Sequence, residues 1–245
     1  MRERLDVLVT QRGFARSRSQ AHDLIRRGCI SVDGETATKP ALLLPGDAEI
    51  AVAGAEAGRV SRAGGKLEAA LDHFGLSPAG LAALDIGAST GGFSQVLLER
   101  GARRVYAVDV GHGQLASRVA ADPRVVSLEG TDARRLTGEL VPEPIGCLVA
   151  DVSFISLRLA LPVPLGLTAP GAWLVALVKP QFELTPEAID GRGVVRSSDL
   201  VLKAMVELRD WLAGRKDWAV LGDMPSPLPG RGGNQEHLIA ARRTV

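Results

Sequence analysis

Lys179 closes one apolar run, Leu177-Val178-Lys179-Pro180-Gln181-Phe182, and Asp151 closes another, Val149-Ala150-Asp151-Val152-Ser153-Phe154. A lysine that is desolvated and near other cations gives up its proton more readily, and the neutral amine is a general base. Lys66, within Ser61-Arg62-Ala63-Gly64-Gly65-Lys66-Leu67, adds a second cation. Glu236, after Gly232-Gly233-Asn234-Gln235, adds a second acid. Taken singly, each reads as an ordinary surface charge, and a lysine at a strand end often only extends its ammonium to water. No His, Cys or carboxylate cluster has the spacing of metal ligands.

A second constellation lies in Leu84-Asp85-Ile86-Gly87-Ala88-Ser89-Thr90-Gly91-Gly92-Phe93, which follows an apolar strand and opens a helix. Small residues let the backbone approach a ligand, and the helix start offers free N–H groups. Asp85 suits the ammonium of an amino-acid-like cofactor. Asp109, ending the next strand, can accept both ribose hydroxyls of an adenosine. Asp132, just after the third strand, suits an adenine amine. Acids at three successive strand tips outline a space for S-adenosylmethionine, with Gly87, Ala88, Ser89, Gly91, Gly92 and Phe93 forming its floor. Two other chemistries compete for the turn. A dinucleotide site needs Gly-x-Gly-x-x-Gly, and Ala88-Ser89 breaks that spacing. Gly87-Ala88-Ser89-Thr90-Gly91 also fits the Gly-x-Ser-x-Gly elbow of serine hydrolases, and His112 and His237 are available. Against the elbow, the turn follows the first strand of its domain, with no oxyanion loop before it.

The elements that must carry these residues divide the 245-residue chain in two. Residues 1–58 read as a small α+β domain and linker, with helices over Arg4–Gln11 and Ser17–Arg27. Strands follow over Cys29–Val32 and Glu49–Val52, with a hairpin signal at Asp33-Gly34. The linker is the small-residue run AGAEAG, residues 53–58. Residues 59–245 alternate strands with helices, which argues for an α/β, Rossmann-like, mostly parallel sheet of seven strands. Those strands lie near Leu81–Ile86, Arg104–Asp109, Val125–Leu128, Ile145–Ala150, Ala172–Val178, Trp218–Leu221 and His237–Ala241. Helices are expected at about 64–74, 92–100, 114–121, 155–166 and 198–213.

Net charge is only +1, but residues 1–30 hold seven arginines against three acids. Arg4, Arg16, Arg18, Arg26 and Arg27 therefore suit phosphates or another acidic surface. One Tyr, three Trp and five Phe form no stripe on which single strands could stack. The charge-free stretch Leu159–Val178 is broken by Pro162, Pro164, Gly166, Pro170 and Gly171, so it reads as a helix ending near Leu167, a turn and a buried strand. With no apolar run of leader length at the start, the expectation is a soluble, cytoplasmic protein. Cys29 and Cys147 have apolar neighbours and suit a reducing compartment.

Taken in order, Lys66, Asp151, Lys179 and Glu236 resemble the Lys-Asp-Lys-Glu tetrad of FtsJ-like ribose 2′-O-methyltransferases. The words DIGASTGGF, VYAVDVGHGQLA, DVSFISL, ALVKPQFE and GRGVVR look like the TlyA family, and RSRSQAHDLIRRGCISVDGETATKP resembles an S-four RNA-binding motif. The resemblance spans nearly the whole chain. His112 stands where an aromatic residue is more usual, and Gly64-Gly65 alters the run before Lys66; neither removes a tetrad member. The family implies S-adenosylmethionine as cofactor, no metal, and ribosomal RNA or a ribosomal subunit as partner, with a cytidine ribose as target. No obligate protein partner is evident. The chemistry of methyl transfer then suits Lys179 as base, Lys66 orienting the hydroxyl, Glu236 holding a lysine and Asp151 beside the sulfonium, with the actual proton acceptor left open between the lysines. Two other classes stand beside this one: a non-catalytic RNA-binding protein, and a membrane-lytic protein such as the family's historical hemolysin label suggests.

Overall fold

The computed structural model describes residues 2–15, 17–26, 29–52, 59–230 and 233–245. Contacts divide the chain into residues 1–59 and 60–245. The expected linker, 53–58, lies outside the described residues.

In the smaller unit, β1 (Arg2–Arg4) runs into α1 (Leu5–Gln11), followed by α2 (Arg18–Arg26), β2 (Ile30–Val32), β3 (Glu35–Ala37), β4 (Leu43–Pro45) and β5 (Ile50–Val52). Leu5, Leu8 and Val9 of α1 and Ala21, Leu24 and Ile25 of α2 meet Ile30 and Ile50 in a core of its own. The Ser17 hydroxyl caps α2 by accepting the Gln20 N–H at 3.2 Å. Asp33 and Gly34 both have positive φ, 51° and 84°, as a tight hairpin between β2 and β3 requires. The expected first helix is shortened at its start. Residues 2–4 instead pair antiparallel with β4, and three residues of isolated pairing carry no periodic signal.

The larger unit runs α3 (Ala63–Phe74), β6 (Ala82–Ile86), α4 (Gly92–Glu99), β7 (Arg104–Asp109), α5 (Ser117–Ala120), β8 (Val125–Glu129), β9 (Ile145–Ala150), α6 (Leu157–Ala160), α7 (Pro162–Gly166), β10 (Thr168–Val178), α8 (Pro180–Glu183), α9 (Ser198–Ala213), β11 (Trp218–Pro225) and β12 (His237–Arg243). All seven strands join one sheet in the order β11-β12-β10-β9-β6-β7-β8. Pairings are parallel except those of β12, which runs antiparallel to both neighbours. Strand order reverses between β6 and β9, and ligands of such sheets sit there, beyond the strands' carboxyl ends. Leu84 and Ile86 face a core with α6, α7 and α9. Ala83 faces the opposite core, with α3 and α4.

Three expected elements differ. The helix at 155–166 is two short helices, because Pro162 has no N–H to continue the first. The helix at 114–121 is the single turn Ser117–Ala120. Pro170-Gly171 is not a turn before the strand but part of β10, where the register against β9 shifts between Thr168 and Trp173. No described helix is long and apolar enough to cross a membrane.

Candidate active site

The reversal of β12 explains how residues far apart in sequence meet. In antiparallel register, Val178 at the end of β10 faces His237 at the start of β12. Lys179 and Glu236 therefore emerge at the same sheet edge. On the other side of β10, parallel pairing sets Ala176 against Ala150, and Asp151 follows at that edge too. Lys66 arrives from the first turns of α3, buried at its base. All four line one cleft of about 530 Å³. Lys66 Nζ donates to Glu236 Oε2, a pair whose side chains are almost wholly buried. Lys179 Nζ lies 2.6 Å from Asp151 Oδ1, off the line of a hydrogen bond, and donates to Ser153 Oγ at 2.8 Å. Each lysine thus meets a carboxylate rather than another cation at closest approach.

Gly87, Ala88, Ser89, Gly92 and Phe93 line the same cleft. Gly87 has φ +80°, and a Cβ there would meet the Asp151 carbonyl oxygen at 2.5 Å. Only glycine lets the turn after β6 nest against the loop after β9. Gly91 and Gly92 are likewise filled by protein: added Cβ atoms would lie 2.9 Å from Leu115 and from Ser61. Ser89 has the left-handed backbone of a nucleophile elbow, φ 47°. Its hydroxyl, however, donates to Gln114 Oε1 at 3.2 Å, not to a histidine, and its N–H goes to Asp109 Oδ2 at 2.8 Å.

Among the acids, Asp109 is held by two backbone donors, Ser89 N–H and Gly111 N–H, both at 2.8 Å. They orient the carboxylate and leave lone pairs for a diol. Asp85 lies beneath the turn, outside the cleft wall, because strand alternation points it towards α4. There Ser94 Oγ donates to Oδ2 at 2.6 Å, and Oδ1 finds no hydrogen-bond partner among the described residues. Complete burial pushes its carboxyl up to about 7, with Asp151 adding to the rise. Asp132 is also away from the cleft. It caps a short 3₁₀ turn and pairs with Arg134, which lowers its carboxyl to about 2. Glu129 was not anticipated: its carboxylate accepts the N–H groups of Gly113, Gln114 and Leu115 and fixes the loop after β7.

These groups fit S-adenosylmethionine, whose ammonium and sulfonium are cationic. Among the described residues Asp151 Oδ1, despite its ion pair with Lys179, and Gln181 Oε1 are buried acceptors that receive no hydrogen bond, and both residues line the cleft. Sequence reasoning also passed over Ser153 and Phe154. Phe154 has φ 64°, is 91% exposed at the cleft, and packs its ring on Phe182 at 5.1 Å. Loop residues carry no period; their one signal is their place just past a strand's carboxyl end.

In the smaller unit, Asp6 is fully buried and gathers Arg4, Arg18 and His22, at 3.0, 3.0 and 2.7 Å. Arg4 first, then Arg18 and His22, hold its carboxyl well below the usual carboxylate range. Beyond that anchor Arg18 stays solvent-exposed and Arg4 is half-buried. Arg26 is exposed at the end of α2. Arg16 and Arg27 lie outside the described residues.

The FtsJ-like methyltransferase family matches residues 59–243, and the S4 domain family matches residues 3–50. The 16S/23S rRNA (cytidine-2′-O)-methyltransferase TlyA of Mycobacterium tuberculosis is 43% identical over 98% of this chain and 90% of its own length. Hemolysin A of Brachyspira hyodysenteriae is 39% identical over 96% of this chain and 98% of its own. A solved structure from Streptococcus thermophilus, described as a candidate hemolysin, superposes with TM-score 0.76 at 38% identity, covering 99% of this chain and 89% of that one. Sheet order, glycine turn and family match define the larger unit as an S-adenosylmethionine-dependent, FtsJ-like methyltransferase. Relatives this similar along almost the entire sequence make the assignment narrower: the chain belongs to the TlyA family of ribosomal RNA methyltransferases, some of whose members are named hemolysins.

Proposed function

We propose that this protein methylates the ribose 2′-hydroxyl of a cytidine in ribosomal RNA, with Lys179 as general base. One observation carries the reading: Lys66, Asp151, Lys179 and Glu236, spread across the larger unit, line one cleft beside the glycine turn. Bound S-adenosylmethionine supplies an electrophilic methyl carbon on a sulfonium. The turn Gly87–Phe93 and Asp109 would hold it, with Asp85 buried beneath the turn and Asp132, paired with Arg134, outside the cleft. Lys179 would accept the 2′-hydroxyl proton as that oxygen attacks the methyl carbon. Such a base contributes about 10²–10⁴ in rate. Lys66, held by Glu236, orients the hydroxyl. Asp151 stabilises positive charge near the reacting carbon. Phe154 offers an exposed ring against which the target base can stack.

In this reading residues 1–58 form the RNA-binding domain and linker, and residues 59–245 the catalytic domain. Arg4, Arg16, Arg18, Arg26 and Arg27 contact phosphates. The protein works in the cytoplasm, away from membranes, on ribosomal RNA or a ribosomal subunit, and needs no obligate protein partner.

The test is a single-turnover assay with tritiated cofactor and ribosomal RNA. Lys179→Ala loses at least about 100-fold in methyl transfer, the lower end of a general base's share, while both ligands still bind. Lys179→Arg fails to restore it, because arginine keeps its proton. Lys66→Arg is milder. Substantial activity in Lys179→Arg would reassign proton removal to another group.

A further inference from the structure

We infer that Ser153 is a positioning residue for the methyl-transfer step: its hydroxyl sets the rotation of the Lys179 amine so that one nitrogen valence points at the ribose hydroxyl. The inference rests on the reading of Lys179 as base.

The geometry begins with the amine. Beyond Cε, the nitrogen of a lysine has three tetrahedral positions, and free rotation about the Cε–Nζ bond leaves none of them aimed. Asp151 Oδ1 is close, at 2.6 Å, yet lies off the hydrogen-bond line. It attracts the nitrogen without fixing its rotation. The hydrogen bond that Lys179 donates among the described residues goes to Ser153 Oγ, at 2.8 Å. That single directional bond fixes the rotation, and Asp151, which draws an N–H to its own side, leaves the third position for the ribose hydroxyl. In the ammonium that third position is an N–H. In the neutral amine it is the lone pair that receives the 2′-hydroxyl proton. The serine oxygen accepts an N–H in both states, so it keeps its hold through the transfer.

The loop is built to hold Ser153 there. Two residues before it, the Asp151 carbonyl is packed against Gly87, and the Asp151 N–H donates to the Ile86 carbonyl at 2.8 Å. The next residue, Phe154, turns left-handed and seats its ring on Phe182. Ser153 is thus fixed on both sides, although its own side chain is exposed in the cleft. The left-handed backbone of a bulky residue such as Phe154 persists only where neighbours enforce it.

The experiment compares Ser153→Ala, Ser153→Thr and Lys179→Ala in full-length protein. Ser153→Ala slows single-turnover methyl transfer about 10- to 100-fold, a part of the general base's share. Its affinities for S-adenosylhomocysteine and ribosomal RNA do not change. Ser153→Thr, which keeps the hydroxyl, recovers most of the rate. A crystal structure of Ser153→Ala shows Lys179 Nζ rotated away and drawn fully onto Asp151. If Ser153→Ala reacts at the wild-type rate while Lys179→Ala is inactive, the role of Ser153 is refuted and that of Lys179 stands. Failure of Ser153→Thr to recover the rate also overturns the role of the hydroxyl. If Lys179→Ala retains activity, the underlying reading of Lys179 has failed instead.

Discussion

Asp85 sits one residue before the last position of β6, and that single step decides its environment. Leu84 and Ile86 face one core, so Asp85 faces the other and disappears under α4, where Ser94 is its partner. Its burial has a consequence for stability. Unfolded, the carboxyl ionises near pH 4; folded, it stays neutral up to about pH 7. Its contribution to stability is therefore complete below about pH 4 and is lost as pH rises towards 7. The loss is on the order of 4 kcal/mol, at about 1.4 kcal/mol per pH unit. Chemical denaturation of the cofactor-free protein at pH 5 and pH 8 should show the wild type losing stability relative to Asp85→Asn over that interval. Parallel pH profiles for the two proteins would mean that the carboxyl is already ionised when folded. The acid itself was legible in the sequence, as were the lysines. Its direction was not, since placing it needed the strand's end to within one residue. Ser153 and Phe154 were less legible still, because a hydroxyl and a ring in a loop announce nothing until the backbone shows where they point.

Helices and strands were legible to the extent that their periodicity was long. α9, with Ser197 capping its start, lies where the pattern put it. The stretch 155–166 looked helical throughout, and a single proline divides it. The glycine turn makes the strongest demand at this scale, because it joins two loops rather than one loop and a ligand. Gly87→Ala must displace the Asp151 carbonyl and also strain a positive φ. The expected cost is roughly 2–4 kcal/mol, with weaker cofactor binding because both loops shift. Gly75 is the control. It ends α3 with φ +62°, but no atom lies within 4 Å of an added Cβ. Gly75→Ala should cost only about 1 kcal/mol and leave cofactor affinity intact. Urea denaturation and calorimetric titration of S-adenosylhomocysteine read both variants. Equal penalties for the two would show that backbone strain, not loop packing, governs residue 87.

For the whole molecule, two units with separate cores imply separable functions. Removing residues 1–52 should weaken RNA binding and flatten its salt dependence, since each lost phosphate contact lowers the slope by about 1. Cofactor affinity should be unchanged. Filter binding across a salt series measures the first, and calorimetry the second. A truncated protein that binds RNA as tightly as the full chain would remove the smaller unit from recognition. Fold class could be read from alternating strands and helices, but strand order could not. Nothing in the residues near His237 says that this strand runs backwards between β10 and β11, yet that reversal brings Glu236 to the active edge. Glu236 follows Lys66 by 170 residues. Chains are made from the N-terminus and domains fold as they emerge, at about 5–20 residues per second. The cofactor turn, both lysines and Asp151 all leave the ribosome before the glutamate that neutralises Lys66. Under the proposed roles, an enzyme that acts on ribosomal RNA thus emerges beside that RNA with Lys66 still lacking its carboxylate, and gains it only after nearly the entire domain has been translated.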